Sequence, residues 1–171
     1  VNVQLKIGDL VVHPAFGIGH IVEIEEKQFS GQGPTRQYYK ITRLQHTMWI
    51  RVGAEEASGL RLVTASSDLG QYRDLLSSPP VAIDADQQQR QLELGSRLQE
   101  GSFRGVCEVM RDLTAWNLLK PLGQADKTTL QKTRVSLYEE WATAAGISNI
   151  EANREIDTLL LQSRPPSSDL V

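Results

Sequence analysis

A chain of 171 residues with 18 Lys and Arg against 21 Asp and Glu carries a net charge of −3 and has room for one mid-sized domain or two small ones. Its 40% hydrophobic and 23% charged residues exclude bulk disorder, and the acidic total gives no bulk electrostatic case for nucleic acid. A single cysteine, Cys107, excludes an internal disulfide framework and fits a reducing compartment.

Residues 1–65 are rich in Val, Ile, Thr and aromatics broken by glycines. A first strand over residues 9–13 stops at Pro14, which cannot continue a central ladder. Gly17 and Gly19 bracket Ile18, and a second strand carrying Ile21 and Ile24 runs on to Phe29. Ser30-Gly31-Gln32-Gly33-Pro34 is a turn by composition. A third strand over residues 36–44 holds Tyr38, Tyr39, Ile41 and Leu44. In the fourth, Met48, Ile50 and Val52 alternate with Trp49 and Arg51, so the two sets face opposite sides. Residues 60–63 close the set. Five short strands predict a small barrel of the SH3 or Tudor kind, whose edge or rim can take a partner strand.

Residues 66–163 read as four to five helices. A short one near residues 67–76 ends before Ser77-Ser78-Pro79-Pro80. Asp84 or Asp86 can cap a second, which carries Gln91, Leu94 and Leu98 and stops at Gly101. The third carries Phe103, Val106, Met110 and Leu113, the spacing of a buried stripe, and ends before Pro121. A long fourth holds Leu130, Arg134, Leu137, Trp141 and Ala145, with Gly146 as its cap. Ser148-Asn149-Ile150-Glu151 is a capping box that opens a fifth helix. Strands followed by helices, without alternation, predict an α+β chain with a β part over 1–65 and an all-α part over 66–163. The tail, 164–171, has no apolar periodicity and is expected to fray.

Chemistry is sparse. Three histidines and one thiol do not make a four-ligand zinc site of the usual kind. Gly17-Ile18-Gly19 lacks the third glycine and the helix of a dinucleotide fingerprint. Glu25-Glu26 and Glu55-Glu56, read as strand neighbours, point to opposite faces and cannot share a proton. Cys107 lies in an apolar stripe and reads as a small buried hydrophobe. No apolar run approaches the roughly 18 residues of a membrane span, and residues 1–8 lack the order of a signal peptide. A cytoplasmic protein with no enzymatic activity, metal, cofactor or membrane contact is therefore expected.

The charge pattern says more. Arg90, Arg97, Arg104 and Arg111 recur every seven residues, which would line one face of a continuous helix. Gly101 and Gly105 divide them between two helices. Glu93 and Glu100 stand four residues before Arg97 and Arg104, so a solvated face laced with weak ion pairs, each worth about 0.3–0.5 kcal/mol, is an equal reading. Lys127, Lys132 and Arg134 add a second basic cluster, and from Arg104 to Arg134 bases outnumber acids. Such a patch can neutralise a few phosphates with little sequence selectivity.

With these residues assembled, the sequence resembles the CarD/CdnL family of bacterial transcription regulators over about residues 4–160. The likeness rests on Lys6-Ile7-Gly8-Asp9-Leu10-Val11-Val12-His13-Pro14, Phe16-Gly17 and Ile50-Arg51-Val52-Gly53-Ala54-Glu55 in the first half. In the second it rests on Glu108-Val109-Met110-Arg111-Asp112-Leu113 and Lys132-Thr133-Arg134. The first half is also similar to the polymerase-interacting domain of the transcription–repair coupling factor. The resemblance implies that the barrel binds the lobe of the RNA polymerase β subunit. It also implies that the helical part faces promoter DNA at the upstream edge of the bubble and stabilises the open complex. Such a protein needs two surfaces and no active site, because tethering supplies a high effective concentration for weak DNA contacts.

Carried over by position, Arg51 matches a basic polymerase contact, and Lys27 falls where the family often has a second. Arg111, Lys127, Lys132 and Arg134 match basic positions facing DNA, to which Arg90 and Arg104 are joined by the seven-residue spacing. Arg111 is read equally as pairing with Asp112 or Glu108. The family's wedge tryptophan at the start of the second helix is replaced here by Gln87, which can hydrogen-bond in the minor groove but cannot stack. Trp116, near a helix end, is the remaining candidate wedge, while Trp141 reads as core. Gly53 stands in place of the family's common Pro. Two regulatory readings remain: a polymerase-bound regulator that contacts DNA, and a polymerase-tethered adaptor whose helices bind a protein. Clustering of the bases on one exposed face favours the first; scattering or internal pairing favours the second.

Overall fold

A computed structural model describes residues 4–163, and the chain divides between Val63 and Thr64 into two compact units. The tail over 164–171, expected to fray, lies outside the described residues.

The first unit is an antiparallel sheet of β1 (Leu10–His13), β2 (Gly17–Lys27), β3 (Arg36–Arg43), β4 (His46–Arg51) and β5 (Arg61–Leu62), in the order β4-β3-β2-β1-β5. The five strands anticipated from alternation are present. The sheet is open and not a closed barrel, with β4 and β5 as its two edges. Leu5, Val11, Ile21, Tyr39, Ile41 and Leu60 form the core, and Phe16, Met48, Ile50 and Val52 pack against it.

The alternation of β2 is broken by a bulge between Ile21 and Glu23. Ile21 lies opposite Ile41 and Ile24 opposite Tyr39, so two residues three apart share the core side. An extra residue in one strand is what allows this in an element of period two. Gly19 has a packing reason: a Cβ there would meet Ile41 Cγ2 at 2.8 Å and the Thr42 carbonyl oxygen at 2.9 Å. Only hydrogen lets β2 lie this close to β3.

One element was invisible to strand logic. Glu55 and Glu56, read as strand neighbours, open a one-turn helix, α1 (Glu55–Ser58). Glu55 and Glu56 therefore occupy a helical first turn and not opposite strand faces. Glu55 accepts from the Gly53 N–H at 3.0 Å. Burial, with Glu55 as its hydrogen-bond partner, pushes the Tyr39 hydroxyl up to about 12.

The second unit opens with a 3₁₀ turn at Ser66–Asp68 and continues as α2 (Leu69–Ser77), α3 (Gln87–Gln99), α4 (Phe103–Leu119), α5 (Gln124–Ala145) and α6 (Asn149–Gln162). The caps are the expected ones. Asp86 accepts from the Gln89 N–H, Ser148 and Glu151 form a reciprocal capping box, and Gly146 ends α5 in the left-handed region at φ 67°. The Thr64 N–H and hydroxyl both donate to Glu140 on α5, at 3.0 and 2.8 Å.

Helix α4 supplies residues to two apolar clusters. Phe103, Cys107 and Met110 join Leu69, Leu76, Leu137, Trp141 and Ile156, while Val109 and Leu113 join Ile83, Leu94 and Leu122. The buried charges Arg90 and Asp126 are matched to one another. Arg90 spans from α3 to Asp126 on α5, with Nη2 donating to Oδ2 at 2.7 Å and Nη1 donating to the carbonyls of Asp84 and Ala85 at 2.8 and 3.0 Å. The Arg90 guanidinium holds the Asp126 carboxyl below the usual carboxylate range.

Removing one partner of a buried, hydrogen-bonded pair leaves a charge unmatched, so Arg90→Met is expected to cost about 3–5 kcal/mol in denaturant unfolding. The depressed carboxyl of Asp126 gives the pair a defined acid dependence. Its contribution is complete above the ordinary carboxylate pKa and is lost as pH falls through the lowered folded value. Thermal unfolding of Asp126→Asn across pH 2–6, referenced to ~4 for a free carboxyl, is expected to lose that part of the acid-induced drop in Tm.

Candidate functional site

Strand register brings one set of polar and aromatic side chains together on the face of the sheet opposite its core. Glu23 lies across from Lys40, Glu25 from Tyr38, and Lys27 from Arg36. On the other side of β3, Tyr38 pairs with Arg51 and Lys40 with Trp49. Alternation then places Glu23, Glu25, Lys27, Arg36, Tyr38, Lys40, Trp49 and Arg51 on a single surface.

Charge within this surface is partly cancelled. Lys40 Nζ is 3.3 Å from Glu23, and Lys27 Nζ is 3.3 Å from Glu25. Lys27 also lies 4.0 Å from the centroid of the Trp49 ring and 5.8 Å from that of Phe29, a cation–π arrangement. The Trp49 indole N–H donates to Glu25. That donation, helped by Lys27, holds the Glu25 carboxyl below its ordinary value. Phe29, 62% exposed, packs edge-on to Tyr38 with ring centroids 4.8 Å apart.

Arg36 and Arg51 remain. Both are exposed, and among the described residues neither has an ion pair. They line one shallow cavity with Gln37, Val52 and Gly53. Of the two positions expected to touch a partner, Arg51 is free to do so, whereas Lys27 is engaged by Glu25 and Trp49. Arg36, Phe29 and Tyr38 were not singled out from the sequence. Their signal was the alternation of 36, 38 and 40, which becomes readable only once the register against β2 and β4 is known.

The helical bases are distributed differently. Arg90 is buried, hydrogen-bonded through each of its three side-chain nitrogens, and stacked 5.3 Å from the centre of the Trp116 ring. Arg111 is also buried: its Nε donates to Asp112 at 2.8 Å and its Nη1 to the Ser78 hydroxyl at 2.7 Å. Asp112 further accepts from Arg97 at 3.3 Å and from the Val81 N–H at 2.9 Å. Arg97 bonds Glu93 as well. Arg104 is exposed and pairs with Glu108 at 2.9 Å, one helical turn on. The seven-residue arginine series is thus split between α3 and α4, and each member has a carboxylate partner.

Lys127 and Lys132 are exposed on α5. Five residues apart, they point about 140° from one another. Arg134 is half-buried, and its Nε has no hydrogen bond among the described residues. Gln87 is the first residue of α3 and is exposed. Trp141 is fully buried and donates to Glu155 at 3.0 Å. Trp116 is half-buried against Arg90 and the second apolar cluster. Neither indole is presented as a wedge. Over residues 64–163 there are ten Lys and Arg against fourteen Asp and Glu, and over 1–63 seven against six.

Elsewhere His13 Nδ1 accepts from the Ala15 N–H at 3.2 Å, and burial lowers the imidazole pKa. His20 and His46 are exposed, and Cys107 is buried. No group of His, Cys, Asp and Glu among the described residues is arranged to hold a metal ion. No described helix is long and apolar enough to cross a membrane.

Both units match known families. Residues 5–64 match the CarD-like/TRCF RID domain, and residues 72–157 match the CarD C-terminal domain. The chain is similar to the "Putative transcription factor YdeB" of Bacillus subtilis (strain 168), with 27% identity over 147 residues covering 85% of this chain and 95% of that protein. An RID-type sheet followed by a CarD-type helical unit, matched in that order along the chain, makes this protein a member of the CarD-like family of transcription factors.

Proposed function

We propose that this chain is a non-enzymatic bacterial transcription regulator that docks on the lobe of the RNA polymerase β subunit through the outer face of β2–β4. The family assignment supports polymerase association as the role of the RID-type unit. The observation that carries the docking reading is the uncompensated pair Arg36 and Arg51 beside exposed aromatics. Arginine and large aromatics are the residue types enriched at protein interfaces. Strand β4 is also an edge, whose unpaired backbone groups offer a further means of recognition. In this reading Arg51 touches the lobe directly. Lys27 acts through Trp49, whose ring it covers.

The helical unit has two uses in this scheme. In the first it lies near promoter DNA at the upstream edge of the bubble and modulates open-complex stability. The bases then available to phosphates are Lys127, Lys132 and Arg104, with Arg134 partly covered and Gln87 at the head of α3. Arg90 and Arg111 hold the helices together in place of contacting DNA. In the second the unit binds a protein and the chain is a polymerase-tethered adaptor. The excess of acids over residues 64–163 and the carboxylate pairing of every member of the arginine series favour the second. The exposed lysines of α5, diverging around the helix, make no continuous cationic face. The conclusion is a polymerase-docked regulator with the adaptor role for its helices.

Arg51→Glu is expected to weaken binding to the purified polymerase lobe at least tenfold in calorimetry while leaving the circular dichroism spectrum and Tm unchanged, since the side chain is exposed and unpaired. Binding equal to wild type removes the contact. Gln87→Trp separates the two uses of the helices. It is expected to leave open-complex lifetime unchanged on a filter-binding decay assay if the helices serve a protein partner. A lengthened lifetime returns the unit to the bubble edge, where an aromatic wedge offsets unstacking.

A further inference from the structure

Helices α2, α4, α5 and α6 share one apolar cluster, and α2 packs on each of the other three. Helix α3 stands outside that group. It packs on α4 and enters a smaller cluster through Leu94, to which the segment between α2 and α3 adds Ile83. That segment, residues 78–86, contains neither helix nor strand. Pro79 and Pro80 stand near its start, and from residue 79 to 85 no backbone group bonds to another backbone group among the described residues. Side chains hold its backbone instead.

Two side chains do most of the holding, and each grips the segment and α3 together. Arg90, on α3, donates through Nη1 to the carbonyls of Asp84 and Ala85 at 2.8 and 3.0 Å, and through Nη2 to Asp126 of α5 at 2.7 Å. Asp112, on α4, accepts from the Val81 N–H at 2.9 Å and from Arg97 of α3 at 3.3 Å. Asp112 and Asp126 are both buried. Displacing the segment or α3 alone would leave a buried carboxylate or guanidinium with hydrogen bonds unmade, which is costly. Moving the two together brings the charged groups to water. The ends of the moving piece are suited to bending or pinning. Before it, the Ser78 hydroxyl is held by Arg111 Nη1 at 2.7 Å. After it, Gly101 turns the chain from α3 into α4 at φ 75°, a region that glycine occupies freely.

We infer that residues 79–100 form a hinged flap over the side of α4 that carries Val109, Leu113 and Trp116, latched by Arg90 and Asp112, and that it opens as one unit while α2, α4, α5 and α6 stay folded. Its apolar hold is small, since Ile83 and Leu94 are its only buried hydrophobic residues. Elements with few buried apolar contacts open at lower free energy than the core. Closed, the helical unit presents the polar outer side of α3. Open, it presents the apolar side of α4. The flap is a conformational device of the helical unit and is independent of how the sheet is used.

The test is native-state hydrogen exchange of the full chain, read residue by residue by NMR at low denaturant concentrations. The amides of α3 are expected to exchange at least about tenfold faster than the slowest amides of α5 and α6, with a denaturant slope below that of global unfolding. Ile156→Val, in the larger cluster, is expected to speed exchange of the α6 core amides about two- to tenfold and to leave α3 unchanged. Arg90→Gln is expected to speed exchange by one common factor across residues 81–98, including Leu94 and Leu98. If the α3 amides are as slow as the slowest of α5 and α6, or if Ile156→Val speeds them by the same factor as α6, the helical unit opens only as a whole and the flap is refuted. A rise in Arg90→Gln confined to residues 84–91 refutes the single unit. Should Arg90→Gln fail to fold, the wild-type and Ile156→Val comparison decides the matter alone.

Discussion

A guanidinium taken out of water must be met by acceptors, and that requirement decides what each arginine of this chain can do. In the helical unit the match is made internally. Arg90 is shared between a carboxylate and two carbonyls, and Arg111 and Arg97 converge on the single carboxylate of Asp112. These pairs tie α3 to α5 and α3 to α4, and they fix the segment that follows α2 through the Val81 N–H. The same chemistry that makes a base attractive to phosphate here makes it a bracket between helices. A buried pair of this kind adds little net stability over an apolar one of equal shape, but it cannot be broken cheaply.

On the sheet the requirement is left open. Four bases and two acids share one face, and each acid has taken a lysine. The arginines that remain, Arg36 and Arg51, are exposed and without an ion pair among the described residues, and Arg51 lies across from Tyr38, which packs against the exposed Phe29 ring. This distribution reconciles an acidic protein with a sheet face on which bases outnumber acids: the total charge describes the helices, and the local charge describes the sheet.

Much of the fold was legible in the sequence because its signals are local. The five strands, the five helices of the second unit, the Asp86 and Ser148 caps and the Gly146 stop follow from turn chemistry, alternation and apolar spacing, each read over a few residues. The helix at Glu55–Ser58 did not, since a one-turn helix is too short to show a period. The site was half legible. Arg51 and Trp49 could be placed on one face from β4 alone, but Arg36 and Phe29 join them only through register across three strands. The arginine series misled for a related reason. A spacing of seven identifies a face without saying whether it turns toward water or toward Asp126 and Asp112. The carboxylates that decide this are 36 residues away from Arg90 and 15 from Arg97.

The extra residue in β2 has a consequence for how chains of this kind can diverge. Because the bulge lies between Ile21 and Glu23, everything C-terminal to it in the strand is turned over relative to everything before it. Glu23, Glu25 and Lys27 owe their position beside Lys40, Tyr38 and Arg36 to that inversion. The side chain of Val22 is 44% exposed and can drift among many residue types at little cost. So can the length of the segment. Loss of Val22 would make Glu23 and Lys40 the next regular pair after Ile21 and Ile41, with both glutamates still beside their lysines. At this point the strand can shed a residue and keep its polar face.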